Sequence, residues 1–196
     1  MSEQDFKADL HRYLKDARAA VLWKLDGLSE YDARRPLLPT GTNLLGMVKH
    51  LAQVEFGYFG ETFGRPSPDA PEWDDDDPNG DWVAEAGESR EYITGLYRKA
   101  WAHADVTIDE LPLGAAGRVP WWSEGRNEVT LHRVLVHMIS ETDHHAGHAD
   151  VVRELIDGAA GLSEKDSNLA YTDPAGQKAF YDRVERTARE ASGISS

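Results

Sequence analysis

Five of the chain's eight histidines, His132, His137, His144, His145 and His148, fall within 17 residues, where chance would place about 0.7. Imidazoles at this density hold a metal, move protons or satisfy one another in a buried network. Their setting narrows the choice. Leu131, Val134, Met138, Glu141, His145, His148, Val152 and Leu155 are separated alternately by three and four positions, the period of one helix face. At ~100° per residue with His145 as origin, Glu141 lies at about −40°, His148 at −60°, His137 at −80°, His144 at −100° and His132 at 140°. The first four share a face with His145, while His132 points away. Glu141 and His145 replace apolar residues at two successive positions of the stripe and are predicted to be its most central polar members. Burying an ionised carboxylate and imidazoles without partners costs several kcal/mol. A divalent metal would satisfy them, since residues four apart meet on one side of a helix and a ligand from another helix makes three. His50, beside the apolar stripe of an earlier segment, is the available donor. A metal-free account uses the same residues, with Glu141 paired to His137 and His145 to His148. Spacing alone leaves both open.

The elements that must position these residues are helical. Phe6, Leu10, Leu14, Ala17, Val21 and Leu25 predict a first helix over residues 4–26, stopped at Gly27. Residues 29–35 form one short helical turn before Pro36. A second long helix over 44–63 starts after good N-cap residues and buries Leu44, Met47, Leu51, Val54 and Tyr58, with His50 next to them. Tyr92, Leu96, Ala100 and Trp101 predict a third over 89–104, and the histidine-rich helix is the fourth. Between them, residues 111–128 hold Gly114, Gly117, Pro120 and Gly125 around Trp121 and Trp122 and read as a loop. Asp173 and Pro174 open a C-terminal helix over 175–190. No alternating strand pattern of useful length occurs. The expected fold class is all-α: a four-helix bundle over 1–160 with a long connection between its second and third helices, and a 161–196 extension whose helix packs on the bundle.

Composition excludes other classes. The net charge of −14 argues against nucleic acid or an anionic membrane as partner, because both select clustered Lys and Arg. Ten acidic residues and one basic residue lie between Pro66 and Glu91, together with Pro66, Pro68, Pro71 and Pro78, so most of the acidity belongs to one exposed connection. Asp75, Asp77, Asn79 and Gly80 occupy the first positions of a calcium loop, but Ala86 stands where a bidentate Glu is needed; a solvated loop is the expected reading. With no cysteine, disulfides, Cys-ligated zinc and a protein thiol nucleophile are excluded. Residues 1–20 mix charges throughout, and no apolar run reaches ~18 residues, so a cytoplasmic protein is expected.

The runs KHLAQVEFGYFGETFGRP (residues 49–66), VLVHMISETDHHAGHADVVRELIDG (134–158) and LDGLSEYDARRPLLPTGTNLLG (25–46) resemble the DinB-like superfamily, in its branch related to mycothiol-dependent enzymes such as mycothiol-dependent maleylpyruvate isomerase. The resemblance implies a bundle with non-sequential helix order and a metal held by one side chain of the second helix and two of the last. The matching positions are His50, Glu141 and His145. His148, with His137 and His144, is left as a reserve ligand or supporting group. Three protein ligands leave room for water or substrate, as at a catalytic zinc, although nickel, manganese and iron also suit the set. A coordinated low-molecular-weight thiol would lose its proton and act as nucleophile. The resemblance therefore implies transfer of mycothiol or a similar thiol to a small electrophile, and a homodimer. A non-catalytic metal-binding stress or interaction protein and a metal-dependent hydrolase are the competing readings. Trp121 and Trp122 can wall the pocket or simply pack, and Arg153 can hold a carboxylate or pair structurally with its neighbours.

Overall fold

The computed structural model describes residues 2–171 and 173–194. It contains six helices, α1 (Glu3–Trp23), α2 (Glu30–Arg34), α3 (Leu44–Phe59), α4 (Arg90–Glu110), α5 (Leu131–Asp157) and α6 (Pro174–Ser192), and one hairpin of β1 (Ala116–Arg118) and β2 (Glu128–Thr130). The fold is the expected all-α bundle. Helix starts follow the local signals: Ser2 and Asp5 form a reciprocal capping box on α1, Asn43 caps α3, Ser89 caps α4 and Thr130 caps α5.

Helix α1 packs on α5, α3 packs on α4 and α5, and α1 reaches α4 through Lys7, His11 and Arg18, so neighbours in space are not neighbours in sequence. Residues near the start of α1 meet the end of α4, because the Lys7 ammonium donates to the carbonyls of Ile108, Asp109 and Leu111. Near its other end, Leu25 accepts from Arg90 at the start of α4. Helix α4 is thus antiparallel to α1. His50 faces Glu141 while Tyr58 faces His137, so α3 is antiparallel to α5. Lys24 at the end of α1 meets Asp150 and Arg153 near the end of α5, so those two helices run parallel, and therefore α3 and α4 do as well; a parallel pair needs a connection that travels the length of the bundle. Residues 60–89 are that crossover.

Several boundaries differ from expectation. Helix α3 ends at Phe59 and gives way to a 3-10 turn at Glu61–Phe63, because Gly60 leaves the helical region. Helix α4 continues to Glu110 instead of stopping near residue 104: Ala104, Thr107 and Ile108 prolong its buried face and Lys7 satisfies its last carbonyls. The two-stranded hairpin interrupts the expected loop, with Val129 buried and Gly117 closely approached by Phe63. Helix α6 forms, but none of its residues is buried, in contrast to the expected packing on the bundle. Its apolar residues Phe180, Tyr181 and Val184 are too few to compete for a core already closed by α1, α3, α4 and α5.

Candidate metal centre

The buried face of α5 is wider than the sequence stripe and turned away from it. Thr142, Ala146, Ala149 and Arg153 are buried with Leu131, Val134, Met138, His145 and Val152, whereas His148 and Leu155 are exposed. The cause is two-sided packing, against α1 and against α3. Glu141 and His145 therefore stand at the edge of the buried face and not at its centre, and the Glu141 side chain is 31% exposed. An edge position gives the pair both a fixed wall and an opening to solvent.

His50, Glu141 and His145 converge there. Each offers one ligand atom, and the three atoms lie within 4.8 Å of one another, the one such His/Cys/Asp/Glu group among the described residues. Glu141 Oε1 is 3.7 Å from His50 Nε2 and 3.2 Å from His145 Nε2. A zinc ion bonded at ~2.0–2.1 Å in tetrahedral geometry would space its ligands by about 3.3–3.4 Å. The donor set and its spacing fit such an ion.

The crossover supplies the group that sequence reasoning missed. Asp81 Oδ2 accepts from His50 Nδ1 at 2.6 Å, which leaves Nε2 directed at Glu141. A carboxylate behind a ligating imidazole fixes its tautomer and raises its basicity. Trp82 stacks on His50 with ring centroids 4.3 Å apart and stands 5.2 Å from His145, shielding one side of the trio. Both residues are held in register by polar contacts to the bundle. Asn43 caps α3 through Oδ1 and donates to the Trp82 carbonyl through Nδ2; Lys49 donates to Val83 and Glu88; Arg34 donates to the carbonyls of Ala84, Glu85 and Glu88. Gly46 makes the approach possible, since a Cβ there would fall 1.9 Å from the Trp82 carbonyl oxygen. The sequence carries no local signal for Asp81 and Trp82, because the same acidic loop holds a second Trp/Asp pair, Trp73 and Asp74, whose ring is exposed. Elsewhere in that loop Asp74 and Asp77 accept from the backbone of Asp76 and Asn79, so these carboxylates serve turns.

Electrostatics follow from the contacts. Burial pulls the His50 pKa down, but hydrogen bonds with Asp81 and Glu141 outweigh it and the net shift is upward. Hydrogen bonds from His145 and then His50 hold the Glu141 carboxyl well below the usual carboxylate range. Glu141 is thus an anion facing two imidazole Nε2 atoms, which present lone pairs to a cation once they give up their protons. His145 Nδ1 is buried without a protein partner.

Other sequence candidates lie at different distances from this centre. His137 is half-buried between Tyr58 (4.7 Å) and Trp122 (5.3 Å), and burial lowers its pKa. His144 and His148 are exposed and lean on each other at 4.2 Å, outside the trio. The metal-free pairings predicted from spacing are not the ones formed: Glu141 bonds to His145, not to His137. Trp122 donates from Nε1 to Tyr58 Oη at 3.0 Å, and Trp121 meets Tyr58 edge-on at 5.0 Å. Arg153 is not available to a substrate carboxylate. It is buried, forks onto Asp157, and donates to the carbonyls of Lys24 and Asp26. A surface cavity of about 720 Å³ lies by the hairpin among Phe63, Arg118, Val129 and Arg133, and the trio does not line it.

A family model described as mycothiol-S-transferase matches residues 9–158, a span that holds most of α1, all of α3, α4 and α5, all three converging residues and Asp81. The chain belongs to the mycothiol S-transferase family. No curated protein matches it. Family membership agrees with the resemblance read from the sequence and with the helix order, and it points to a small-molecule thiol as partner and to transferase chemistry. Among the described residues, no helix is long and apolar enough to cross a membrane.

Proposed function

We propose that this chain is a metal-dependent thiol S-transferase that moves mycothiol, or a close thiol relative, onto a small electrophile. The observation that carries the reading is the convergence of His50, Glu141 and His145 at the half-open edge of the α3–α5 interface, backed by Asp81. His50 and His145 through Nε2 and Glu141 through Oε1 would hold a divalent ion, zinc fitting best. When bound, the ion would acidify a thiol placed beside it, so that the thiolate is available near neutral pH. The protein's own contributions are positional. Asp81 keeps the Nδ1 proton on His50, Trp82 excludes water from one side, and the exposed side of Glu141 leaves an approach for both reactants. In the transfer the thiol loses its S–H proton to solvent, its sulfur forms the new bond to carbon, and the leaving group departs with the pair from the bond that breaks. The missing cysteine agrees with this chemistry, because the sulfur comes with the cosubstrate. A cytoplasmic setting, where such thiols stay reduced, and a homodimer belong to the same proposal.

Metal analysis of the wild type and the His50→Ala, Glu141→Ala and His145→Ala variants is the first test, followed by thiol consumption with monochlorobimane as electrophile. Wild type is expected to carry about one ion per chain and to consume mycothiol, and each variant to lose both. Metal without turnover favours a binding protein, turnover without thiol favours a hydrolase, and a metal-free active wild type would overturn the reading.

A further inference from the structure

Seven and eight positions after His50 on α3, Gly57 and Tyr58 carry an aromatic shelf. Trp121 lies over Gly57, where a Cβ would come within 2.7 Å of its ring, and half of Trp121 remains exposed. Tyr58 meets it edge-on at 5.0 Å, and Trp122 and His137, the latter from α5, pack against Tyr58 in turn. An exposed tryptophan face pinned by a glycine and braced by a tyrosine that is itself packed by two rings is a rigid surface, able to bind without ordering itself first.

We propose that this shelf seats the saccharide rings of the thiol whose sulfur lies at His50, Glu141 and His145; the assignment rests on the transferase reading above. Three observations lead to it. Asp81 and Trp82 close the opposite side of His50, so a ligand leaving the trio extends along α3 toward Tyr58. At ~1.5 Å per residue, Tyr58 is about 12 Å along α3 from His50, and His137 is about 6 Å along α5 from Glu141. Mycothiol is an N-acetylcysteine joined to glucosamine and inositol; its first ring stands five bonds from sulfur, about 6 Å at ~1.3 Å of reach per bond, and its second ring further on. The polar character of the rim matches hydroxylated rings better than a flat apolar electrophile. Tyr58 Oη accepts from Trp122 and keeps its own proton to donate, and the His137 imidazole is flanked by Glu141 and Arg133 with no side-chain hydrogen bond of its own. An apolar face edged by donors and acceptors is what a sugar presents in return.

The test compares thiols in the metal-loaded full chain. For Trp121→Ala, the ratio of kcat/KM for mycothiol over N-acetylcysteine, with monochlorobimane as electrophile, is expected to fall about ten-fold, mainly through the KM for mycothiol. Separately, the thiol-free glucosaminyl-inositol should quench tryptophan fluorescence in the wild type and in His50→Ala, and fail to do so in Trp121→Ala. Equal losses for both thiols, a rise confined to the KM of the electrophile, or no quenching in the wild type would each overturn the assignment. Quenching that depends on Trp121 in a chain that turns over no thiol would uphold the shelf and defeat the transferase reading, so the two failures are distinguishable.

Discussion

Two clusters of charged side chains lie on opposite sides of α3, and only one looks like a place to bind something. In the first, Arg18 forks onto Glu55 with two hydrogen bonds of 2.8 Å and reaches Asp105 at 2.8 Å, and Asp105 also accepts from His11. Arg18 and Glu55 are essentially inaccessible, and every charge faces its opposite within the bundle. In the second, His50, Glu141 and His145 bring three metal-ligand atoms together at a partly open edge, and among the described residues no Lys or Arg pairs with Glu141. A saturated network spends its donors on structure; an acceptor-rich one leaves room for an ion. The pKa directions follow the same division. Burial pushes the Glu55 carboxyl up to about 7 despite Arg18, a sign of enclosure. Glu141, partly exposed and held by two imidazoles, is shifted down.

The strongest way to break the comparison is Arg18→Ala, which strands the buried Glu55 carboxyl without its partner. It is expected to destabilise the fold by about 3–5 kcal/mol in denaturant unfolding, while the Arg18→Met, Glu55→Leu double variant comes out near neutral. If the single variant unfolds no more readily than wild type, the first cluster is not the structural one. Next in size, Asp81→Asn should weaken metal binding by about 10- to 100-fold through loss of the carboxylate behind His50, with the metal-free fold kept; calorimetric titration with zinc reads this directly. The smallest effect distinguishes the clusters by pH. Burial alone would raise the Asp105 pKa, but hydrogen bonds from His11 and Arg18 dominate and bring it to about 2 from 3.8. A depressed carboxylate pKa contributes stability that is present above about pH 4 and lost as pH falls through about 2. The stability gap between wild type and Asp105→Asn should therefore be largest above pH 4 and shrink toward pH 2, whether or not metal is present.

How much of this was legible depends on whether a residue's partner lies on the same periodic segment. The three-and-four spacing of α5 exposes Glu141 and His145 as polar intrusions in an apolar stripe, and the stripe of α3 places His50 alongside. Arg18 gave no such signal, because its long side chain sits beside Ala17 and Val21 at an angle that only packing against both α3 and α4 makes internal. Asp81 was concealed for the opposite reason: in a run of ten acidic residues, nothing local marks the one whose carboxylate meets an imidazole 31 positions earlier. Arg153 fits a ligand-binding role by helical angle alone, but that angle does not show that the end of α1 would occupy it with the carbonyls of Lys24 and Asp26.

The sequence by itself determined the helices, their caps, the cysteine-free chemistry and the identity of the three converging side chains, since each follows from short-range spacing and side-chain type. Tertiary structure alone decided that the trio sits at an edge instead of a centre, that a crossover between parallel helices returns Asp81 and Trp82 to His50, and that Trp121 comes to rest on Gly57. Those outcomes depend on which helix faces pack together, and packing sums contacts over the whole bundle, which local periodicity does not encode.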